Sequence, residues 1–536
     1  MDKDYLEALK AMSPFELKNI LMDEAVNGWK EDVSKGGKRR YLNAGRGNPN
    51  FLNTTVRESF CLLTLFMSKL SDTYLKQKDL GLRPEKEGIT KKLFDFIDAQ
   101  PNTEEKNFLK ESIEFAIDTF ALDSDEFIFE ICDAALGDFY PMPPRVFPNI
   151  AKILRAYLDQ VLYLEEKTKK IKFDLFCTEG ATAAMVYIFN SLKINEVLHE
   201  KDEIAILTPI FSPYLEIPEL KEFNLKEVFI ETDENLGWQI PPKELKKLED
   251  SRIKAFFMVH PTNPTSVALK KETIKQIGDL VRNKRPDLIV LTDTVYSTFV
   301  DDFHCILNEI PENTICVYSY SKYFGVTGWR LGVIMLSENN ILDNKIAHLP
   351  KKARKQLYHR YMCIDPEPDK LKFIDRLETD SRDEALAHTG GISCPQQALM
   401  ALFSLFNLMD KELKYKNDVH QILKKRIEYF FDNLEIPPPS EKENTYYYAL
   451  VNILIIAEEK YGKDFAKYLK KKSHPIEFLY RLAKEKFTIC LPGEGFHGPE
   501  WSIRISLANL DDEAYIHVGK NIKEMLDEIY KEWHSK

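Results

Sequence analysis

The sequence predicts an α/β protein whose large domain holds a mostly parallel sheet covered by helices, beside a smaller α+β domain. Two patterns support this prediction. In the middle of the chain, short runs rich in β-branched and aromatic residues alternate with helical stretches, as in parallel sheets covered on both faces. The C-terminal part reads instead as helix, strand, strand and helix. With 536 residues, 44% of them hydrophobic, the chain can build more than one domain.

The N-terminal part is predicted to be mainly helical. Ser13, Pro14 and Glu16 supply an N-cap, a first-turn proline and a first-turn acid, so a helix should begin there. From Thr55 to about Leu136, apolar residues recur at intervals of three and four without strand-like alternation. This block is therefore predicted to be a helical addition outside the α/β pattern.

The α/β region follows this block. Its strands are predicted at Phe173–Cys177, Glu203–Leu207, Glu227–Ile230, Ile253–Val259, Leu288–Leu291, Thr314–Tyr318 and Gly332–Leu336. Helices are predicted between several of them, at Ala183–Leu192, Pro242–Leu248 and Glu272–Arg282. The alternation of short strands with helices indicates crossover connections within one sheet.

The remainder of the chain is predicted to combine long helices with a few strands. Residues 338–390 are charge-rich and helical. Within them, the basic cluster Lys351–Lys355 is interpreted as a solvated helix face, with an anion site or contact surface as the alternative. A long helix is predicted from about Gln396 to Asn433, before a loop at Pro437–Pro439. The last elements are strands at Tyr446–Ile453, Phe487–Leu491 and Ser502–Leu507 and a helix at Asp512–Trp533.

Composition excludes several functional classes. The net charge of −11 argues against general nucleic-acid binding, which needs a basic surface. The longest strongly apolar run, near Phe60–Met67, is too short to cross a bilayer, and the first residues lack the pattern of a secretory signal. The eight cysteines include no Cys-x-x-Cys pair, so we expect reduced thiols rather than disulfides or a zinc site. We therefore expect a cytoplasmic protein without nucleic acid, membrane or metal among its partners.

Chemically informative residues follow the predicted strands. Ligands of open α/β sheets bind beyond the carboxyl ends of the strands, so these residues should share one site. After the first strand, Gly180, Ala181 and Thr182 open a helix, whose N-terminus favours a phosphate. After the second strand comes Phe211, which can stack on a planar ring or pack in the core.

Two further strand ends carry polar groups. Asn263 follows the strand Ile253–Val259 between two prolines, where its amide can donate to a ring hydroxyl or form an ordinary turn. Asp293 follows the next apolar run, and a buried acid there needs a cation. A protonated pyridine nitrogen is such a cation. Tyr296, three residues later, can hydrogen-bond the ring oxygen beside Asn263.

The stretch SYSKYFGVTGWRLG over residues 319–332 supplies an amine and a guanidinium. Lys322 lies three residues after Ser319 and eight before Arg330, with small residues between them. A Schiff-base lysine needs a fixed, uncrowded position, and a phosphate needs a guanidinium and hydroxyl donors such as Ser319 and Ser321. Taken singly, Lys322 and Arg330 are simply surface residues. Combined with the preceding strand ends, they indicate pyridoxal 5'-phosphate, which carries an aldehyde, a pyridine ring and a phosphate.

These motifs resemble those of the fold-type I pyridoxal-phosphate aminotransferases. The resemblance rests on Asn263-Pro264-Thr265, Asp293-x-x-Tyr296, Ser319-x-x-Lys322 and Arg330. SIRIS at 502–506 is similar to the segment whose arginine binds the substrate α-carboxylate, which implies that role for Arg504. GNPNF at 47–51 resembles the loop that closes over the substrate, which implies substrate contacts for Gly47 and, across the site, for Asn263.

Four longer stretches look like the aspartate 4-decarboxylase branch of this family. They are AGRGNPNF at 44–51, GDFYPMPPR at 137–145, TPIFSPY at 208–214 and HTGGIS at 388–393. The resemblance implies β-decarboxylation of L-aspartate to L-alanine and CO2, with aspartate/2-oxoglutarate transamination as a side activity. Small amino acids and 2-oxo acids would be the substrates.

The same resemblance implies an assembly and a domain organisation. Tyr140 would reach the phosphate of a neighbouring subunit in a homodimer, which would assemble into a larger homo-oligomer. Arg46 is our candidate for contacting the distal carboxylate, with a structural ion pair in its Gly-rich loop as the alternative. The implied domains are an N-terminal arm with part of the small domain at 1–55, a large cofactor-binding domain at 56–420 with helical insertions at about 56–136 and 338–390, and the C-terminal small domain at 421–536.

Some features depart from the family pattern. Ser266 stands where glycine is usual, Phe211 replaces the commoner Trp or Tyr, and no arginine for the distal carboxylate from a neighbouring subunit is evident. The nearest alternative is an ordinary class I aminotransferase acting on aspartate or aromatic amino acids. A non-catalytic regulator or a structural protein would need neither Lys322 nor Asp293. GEGFHG at 493–498 has dinucleotide-site spacing but precedes a strand rather than a helix, so we do not interpret it as a nucleotide site.

Overall fold

The computed structural model describes residues 3–75, 79–383 and 390–535. The chain begins with α1 (Lys3–Lys10), α2 (Pro14–Ser34) and the short strand β1 (Leu42–Asn43). Helix α2 starts at the predicted cap, since the Ser13 hydroxyl accepts the backbone N–H of Glu16 at 3.4 Å. The helix α1 before it has no counterpart in the prediction. None of the helices in the described ranges has the length and apolar character needed to cross a membrane.

The predicted helical block is present and precedes the main sheet. Its helices and those that follow are α3 (Thr54–Tyr74), α4 (Ile89–Asp98), α5 (Glu104–Phe120), α6 (Ser124–Leu136), α7 (Pro148–Val161) and α8 (Glu166–Lys169). The buried faces of α3 to α7 join one hydrophobic core with the main sheet. This core also contains Tyr318, Tyr320 and Phe324, so the added helices support the segment that carries Lys322.

A seven-stranded sheet forms the centre of the large domain. Its strands are β2 (Phe173–Thr178), β3 (Glu203–Thr208), β4 (Lys226–Glu231), β5 (Ile253–Val259), β6 (Ile289–Asp293), β7 (Thr314–Ser319) and β8 (Gly332–Ser337). Their order is β2-β8-β7-β6-β5-β3-β4, and β8 alone runs antiparallel to its neighbours in this sheet. Helices α9 (Ala181–Ile194), α10 (Pro213–Glu219), α11 (Pro242–Leu245) and α12 (Lys271–Lys284) lie along the same stretch of chain. The predicted α/β class with a mostly parallel sheet is confirmed.

Two predicted boundaries shift in a way that matters for the site. Asp293 and Ser319 are the last residues of β6 and β7 rather than loop residues. Asp293 pairs with Val259 on one side and Val317 on the other. Sheet pairing on both sides therefore fixes the backbone from which the Asp293 carboxylate projects.

Helices dominate the chain after the sheet. They are α13 (Ile341–Ala347), α14 (Lys351–Tyr361), α15 (Phe373–Ser381), α16 (Cys394–Met409) and α17 (Lys414–Leu434). The basic residues of Lys351–Lys355 are exposed on α14. His388 and Thr389 lie outside the described residues. The prediction of one long helix from Gln396 to Asn433 is wrong, because the helix is interrupted between α16 and α17. Leu413 has a φ of +54° there, and the Asp410 carboxylate accepts hydrogen bonds from the backbone N–H groups at the start of α17.

A second hydrophobic core unites both ends of the chain. The last elements of the described chain are β9 (Tyr448–Asn452), α18 (Ile453–Tyr461), α19 (Lys463–Lys472), α20 (Pro475–Lys486), β10 (Thr488–Ile489), β11 (Leu491–Pro492), β12 (Ser502–Ser506) and α21 (Asp512–His534). The N-terminal elements, α17 and all of these except β11 contribute buried residues to the second core. Strand β9 is shorter than predicted because the Asn452 side chain caps α18, and the strand predicted at Phe487–Leu491 is two short strands. Strand β1 pairs with β10, and β11, β12 and β9 form an antiparallel sheet.

Candidate active site

A cavity of about 320 Å³ lies at the carboxyl ends of the central strands, against the sheet β11-β12-β9. It has the size of a small-molecule site. Most of the predicted site residues line it: Gly47, Ala181, Thr182, Phe211, Asn263, Asp293, Tyr296, Ser319, Ser321, Lys322, Arg330 and Arg504. Residues from five strand ends, the N-terminal segment and β12 therefore converge on one space, although they are far apart in the sequence.

Three predicted residues lie outside this lining. Gly180 is next to it, and a Cβ atom there would lie 2.4 Å from Nη2 of Arg330 at a φ of +88°, so only glycine fits. Arg46 is exposed and immediately precedes Gly47, which lines the cavity. Tyr140 is 64% exposed on the surface and contributes nothing to the cavity of its own chain.

The sequence prediction missed other lining residues, namely Phe15, Asn48, Tyr214, Val259, Val295, Thr327 and Tyr448. Phe15 comes from α2, and its ring packs edge-on against Phe211 with the ring centres 5.8 Å apart. Tyr214 lies on the short helix α10, three residues after Phe211. Neither α2 nor β9 carries a motif that marks it as part of a site, so only the tertiary structure reveals these contacts.

Lys322 projects into the cavity from the turn after β7. Its Nζ atom donates a hydrogen bond to the carbonyl oxygen of Gly47 at 3.1 Å. Burial, with the nearby charges of Arg504 and Arg330, lowers the pKa of this amine to about 8, against the opposing influence of Asp293. A lysine with such a pKa is partly neutral near physiological pH and can therefore act as a nucleophile or a base.

Asp293 contributes an acidic side chain to the cavity lining and is only 4% exposed. Its carboxylate accepts hydrogen bonds from the Tyr214 hydroxyl at 2.7 Å and from the Val295 backbone N–H at 3.0 Å. Burial nevertheless raises its pKa to about 6. A cation placed beside this carboxylate would keep it ionised and would itself stay protonated.

Hydroxyl and guanidinium donors cluster at one end of the cavity. The hydroxyls of Ser319 and Ser321 lie 2.9 Å apart, and Thr182 is on the first turn of α9. Arg330 lines the cavity, is partly open to solvent, and donates from Nη1 to the carbonyl of Thr327 at 3.0 Å. No side chain caps the N-terminus of α9, so its backbone N–H groups remain available. Such a combination is suited to a phosphate.

Arg504 lies at the opposite end and is almost fully buried, with 1% exposure. Its Nη1 and Nη2 atoms donate to Asn263 Oδ1 at 3.2 Å and to the Gly45 carbonyl at 2.8 Å. Its Nε atom is buried without a hydrogen-bond partner, and the hydrogen bonds that the guanidinium forms within the described part of the chain go to Asn263 and Gly45 rather than to an Asp or Glu. A buried guanidinium without an acid is costly, so a ligand carboxylate is its natural partner.

Lys18 is a second cation that the sequence analysis did not predict, and it lies beside Phe15 of the cavity lining. Lys18 follows Phe15 by one turn of α2, and its Nζ atom lies 5.9 Å from the Phe15 ring centre. Burial and the charges of Arg46 and Arg504 lower the pKa of Lys18. The three-residue spacing of Phe15 and Lys18 places them on one helix face, which is the signal that could have identified Lys18.

A larger and more open cleft of about 620 Å³ lies elsewhere between the two domains. Its lining includes the carboxylates of Glu231, Asp233, Glu234, Glu244, Glu494 and Glu500. This acidic surface would repel a phosphate and a substrate carboxylate. Because the cleft also contains none of the predicted site residues, the smaller cavity is the better candidate for the chemistry.

The smaller cavity fits pyridoxal 5'-phosphate. Its hydroxyl and guanidinium end suits the phosphate, Asp293 suits the ring nitrogen, and Lys322 can reach the aldehyde. Because Asn263 Oδ1 already accepts from Arg504, the amide nitrogen of Asn263 remains to donate to the ring oxygen. The orphaned Nε of Arg504 leaves one buried donor for the substrate.

Comparisons with known proteins agree with this fit. The family described as aminotransferase class I and II matches residues 148–522. A bifunctional aspartate aminotransferase and L-aspartate beta-decarboxylase from Pseudomonas sp. is 41% identical over 536 residues, covering 99% of both chains. An aspartate aminotransferase from Pyrococcus abyssi is 29% identical over 233 residues, covering 42% of this chain and 57% of the relative.

Solved structures share the fold. An aspartate aminotransferase from Thermotoga maritima superimposes with a TM-score of 0.57 at 16% identity, covering 98% of this chain and 100% of the other. An aromatic aminotransferase from Pyrococcus horikoshii gives a TM-score of 0.57 at 19% identity, covering 91% and 96%. On the family match and the full-length relative, the chain belongs to the class I and II aminotransferases, whose cofactor is pyridoxal 5'-phosphate.

Proposed function

We propose that this protein removes the β-carboxylate of L-aspartate as CO2 to give L-alanine, and that it also transaminates aspartate with 2-oxoglutarate. Arg504 is buried close to Lys322 and its Nε atom has no hydrogen-bond partner, and this observation supports an amino acid as the substrate. The choice of β-decarboxylation is supported by the 41% identity to the bifunctional relative over 99% of both chains. The aspartate aminotransferase from Pyrococcus abyssi matches only 42% of this chain.

The residues of the cavity divide the work of holding the cofactor. Ser319, Ser321, Thr182 and Arg330 bind the phosphate, with the α9 N-terminus behind them. Asp293 holds the proton on the ring nitrogen, and Phe211 packs against the ring. When bound, the cofactor supplies a conjugated, electron-withdrawing system that accepts an electron pair from the substrate.

Lys322 and Arg504 act on the substrate. Lys322 would hold the cofactor through Nζ, and its neutral amine would act as the base that removes the proton from the substrate α-carbon. Arg504 binds the α-carboxylate through Nε and one Nη atom, which orients the α-carbon toward Lys322. Tyr296 donates a hydrogen bond to the ring oxygen, together with the amide of Asn263.

The distal carboxylate faces the cavity mouth, where Arg46 and Lys18 supply positive charge. Such a contact must remain weak, because a strong ion pair would stabilise the bound carboxylate and slow its departure. When the C–C bond breaks, CO2 leaves and a proton takes its place on the β-carbon. If water releases the carbon skeleton of the substrate before CO2 is lost, the product is oxaloacetate, as in transamination.

We also infer a homodimer that assembles into a larger homo-oligomer. The exposed Tyr140 and its neighbour Met142, which is 73% exposed, present a surface that supports a contact with a second subunit. Tyr140 would then reach the phosphate in that subunit. The eight cysteines are all free thiols, which supports a reducing, cytoplasmic location.

The deciding experiment follows the fate of the aspartate side-chain carboxylate. The purified protein is incubated with pyridoxal 5'-phosphate, a trace of pyruvate and L-aspartate labelled at C4, and trapped CO2 is compared with alanine formed. Equal amounts of the two are expected. L-Glutamate, in which the second carboxylate is one carbon further away, should release none. Consumption of aspartate to oxaloacetate without CO2 would instead identify an ordinary aminotransferase.

A further inference from the structure

Tyr448 lies inside the cavity, yet the roles assigned above do not use it. It begins β9 and is only 2% exposed. Its hydroxyl oxygen lies 2.9 Å from the hydroxyl oxygen of Tyr296. The guanidinium carbon of Arg504 lies 4.5 Å from the centre of its ring. Tyr448 therefore contacts the residue assigned to the ring oxygen and the residue assigned to the α-carboxylate.

The backbone of Tyr448 is held by a serine in an unfavourable conformation. The N–H group of Tyr448 donates to Ser266 Oγ at 2.7 Å, and the Ser266 carbonyl accepts the N–H of Thr445 at 2.7 Å. Ser266 has a φ of +64°, in the left-handed region where glycine is unstrained and serine is not. Glycine would relieve this strain but would remove the acceptor for Tyr448. Ser266 therefore links the Asn263 loop to β9 through its side chain.

The space around the Tyr448 hydroxyl is also restricted. A Cβ atom on Gly47 would lie 2.7 Å from this oxygen, closer than any contact that real Cβ atoms make. Gly47 on one side and Tyr296 on the other thus enclose the hydroxyl. With its backbone fixed at Ser266 and its ring against Arg504, Tyr448 has one position from which to hydrogen-bond Tyr296.

The direction of that hydrogen bond follows from the proposed function. A phenol has one proton to donate and two lone pairs to accept with. If the Tyr296 proton is donated to the cofactor ring oxygen, the proton between the two tyrosines must come from Tyr448. A hydroxyl that accepts one hydrogen bond becomes a stronger donor in the next.

We infer that Tyr448, held by Ser266, is a positioning residue that orients and strengthens the Tyr296 hydroxyl as a donor to the ring oxygen of the cofactor. This inference rests on the proposed function, because it requires Tyr296 to face that oxygen. The serine in place of glycine after Asn-Pro-Thr is then part of the site rather than a neutral departure from the family pattern.

The test is a pH titration of the visible absorption of the bound cofactor. Its midpoint reports how easily the cofactor loses a proton beside its ring oxygen, and it does not depend on turnover. Tyr448→Phe removes one hydroxyl and keeps the ring on Arg504. Because a weaker donor stabilises negative charge on the ring oxygen less, the titration midpoint should rise, by about 0.5–1 pH unit. Tyr296→Phe should raise it further. Ser266→Gly, which relieves strain, should raise it by less than Tyr448→Phe.

The matched control is Tyr157→Phe. The hydroxyls of Tyr157 and Tyr318 form a second buried tyrosine pair, 2.7 Å apart and away from the cavity lining. This variant should leave the midpoint unchanged. An unshifted midpoint in Tyr448→Phe beside a shifted one in Tyr296→Phe would overturn the inference and leave the proposed function standing. If Tyr296→Phe is itself unshifted, the ring-oxygen role of Tyr296 fails and the inference fails with it.

Discussion

The amine of Lys322 donates a hydrogen bond to the carbonyl oxygen of Gly47 across 3.1 Å, and so joins the turn after β7 to the N-terminal segment. The same carbonyl accepts the Tyr447 hydroxyl at 2.8 Å. The lysine is therefore positioned through Gly47 by two segments that are distant from it in the sequence.

Replacement of Lys322 should eliminate cofactor attachment and catalysis. In Lys322→Ala no amine remains to bond the aldehyde or to remove the α-proton, so the visible absorption band should disappear and turnover should fall by about 10²–10⁴-fold or more. Absorption spectra and CO2 release measure both effects. Lys351→Ala, on the exposed face of α14, serves as the control and should resemble the wild type. Turnover at the wild-type rate in Lys322→Ala would remove this residue from the mechanism.

Attachment of the cofactor should depend on pH through Lys322. Its pKa is lowered to about 8, and only the neutral amine attacks the aldehyde. The rate of reconstitution of the apoprotein should therefore be low below pH 8, rise through a midpoint near pH 8 and level off above it. Asp293→Asn removes a charge that favours the protonated amine, so its midpoint should lie lower. A midpoint near the ordinary lysine value would contradict the assigned environment.

Neutralising Asp293 should separate electron withdrawal from binding. Asp293→Asn keeps the shape of the side chain but cannot hold the ring nitrogen protonated, so kcat should fall by about 10²-fold while the cofactor remains attached. Tyr214→Phe is the matched comparison, since it removes only the donor to the carboxylate and should affect kcat far less. Steady-state kinetics and the absorption spectrum measure both variants. An unchanged kcat in Asp293→Asn would refute the ring-nitrogen assignment.

Arg504 should be irreplaceable by lysine. Arg504→Lys retains a positive charge but loses the planar fork, including the unpaired Nε, so kcat/KM for aspartate should fall by about 10²-fold, or about 2.7 kcal/mol. The affinity for the cofactor should be nearly unchanged, because Arg504 lies at the other end of the cavity. Substrate saturation curves and cofactor titrations provide the two measurements. Equal losses in both would indicate that the variant is misfolded instead.

Arg46 should influence the ratio of decarboxylation to transamination. Arg46 is exposed, so Arg46→Ala should change the ratio of alanine to oxaloacetate by about two- to fivefold, as expected for an exposed ionic contact. Product analysis at several times measures the ratio. Arg39→Ala, which removes an exposed arginine paired with Glu524 outside the cavity, is the control. A ratio that does not move in Arg46→Ala would show that Arg46 has no part in the partition.

Much of the fold could be predicted from the sequence because its signals are local. The strand Ile253–Val259 has its predicted bounds, and the polar groups placed after the strands meet at one edge of the sheet, as the geometry of parallel sheets requires. The break between α16 and α17 was missed because apolar periodicity continues across it. It depends on Leu413 in a left-handed conformation and on a cap from Asp410.

The lining residues that the sequence did not predict were missed for a different reason. Phe15 and Tyr448 come from α2 and β9, where nothing in the local sequence separates a cavity residue from a core residue. Tyr448 reaches the site because β9 pairs with β12, which carries Arg504. Such contacts arise from the packing of one domain on the other, which a linear pattern does not encode.

The core shared by the two chain ends also sets an order of events during biosynthesis. Leu9, Leu17 and Leu21 share this core with Leu479 and Leu482 on α20, which are synthesised more than 400 residues later. The apolar faces of α1 and α2 therefore stay uncovered until α20 has been synthesised. Because Phe15 and Gly47 line the cavity together with Tyr448 and Arg504, the cavity forms only after β9 and β12 have followed.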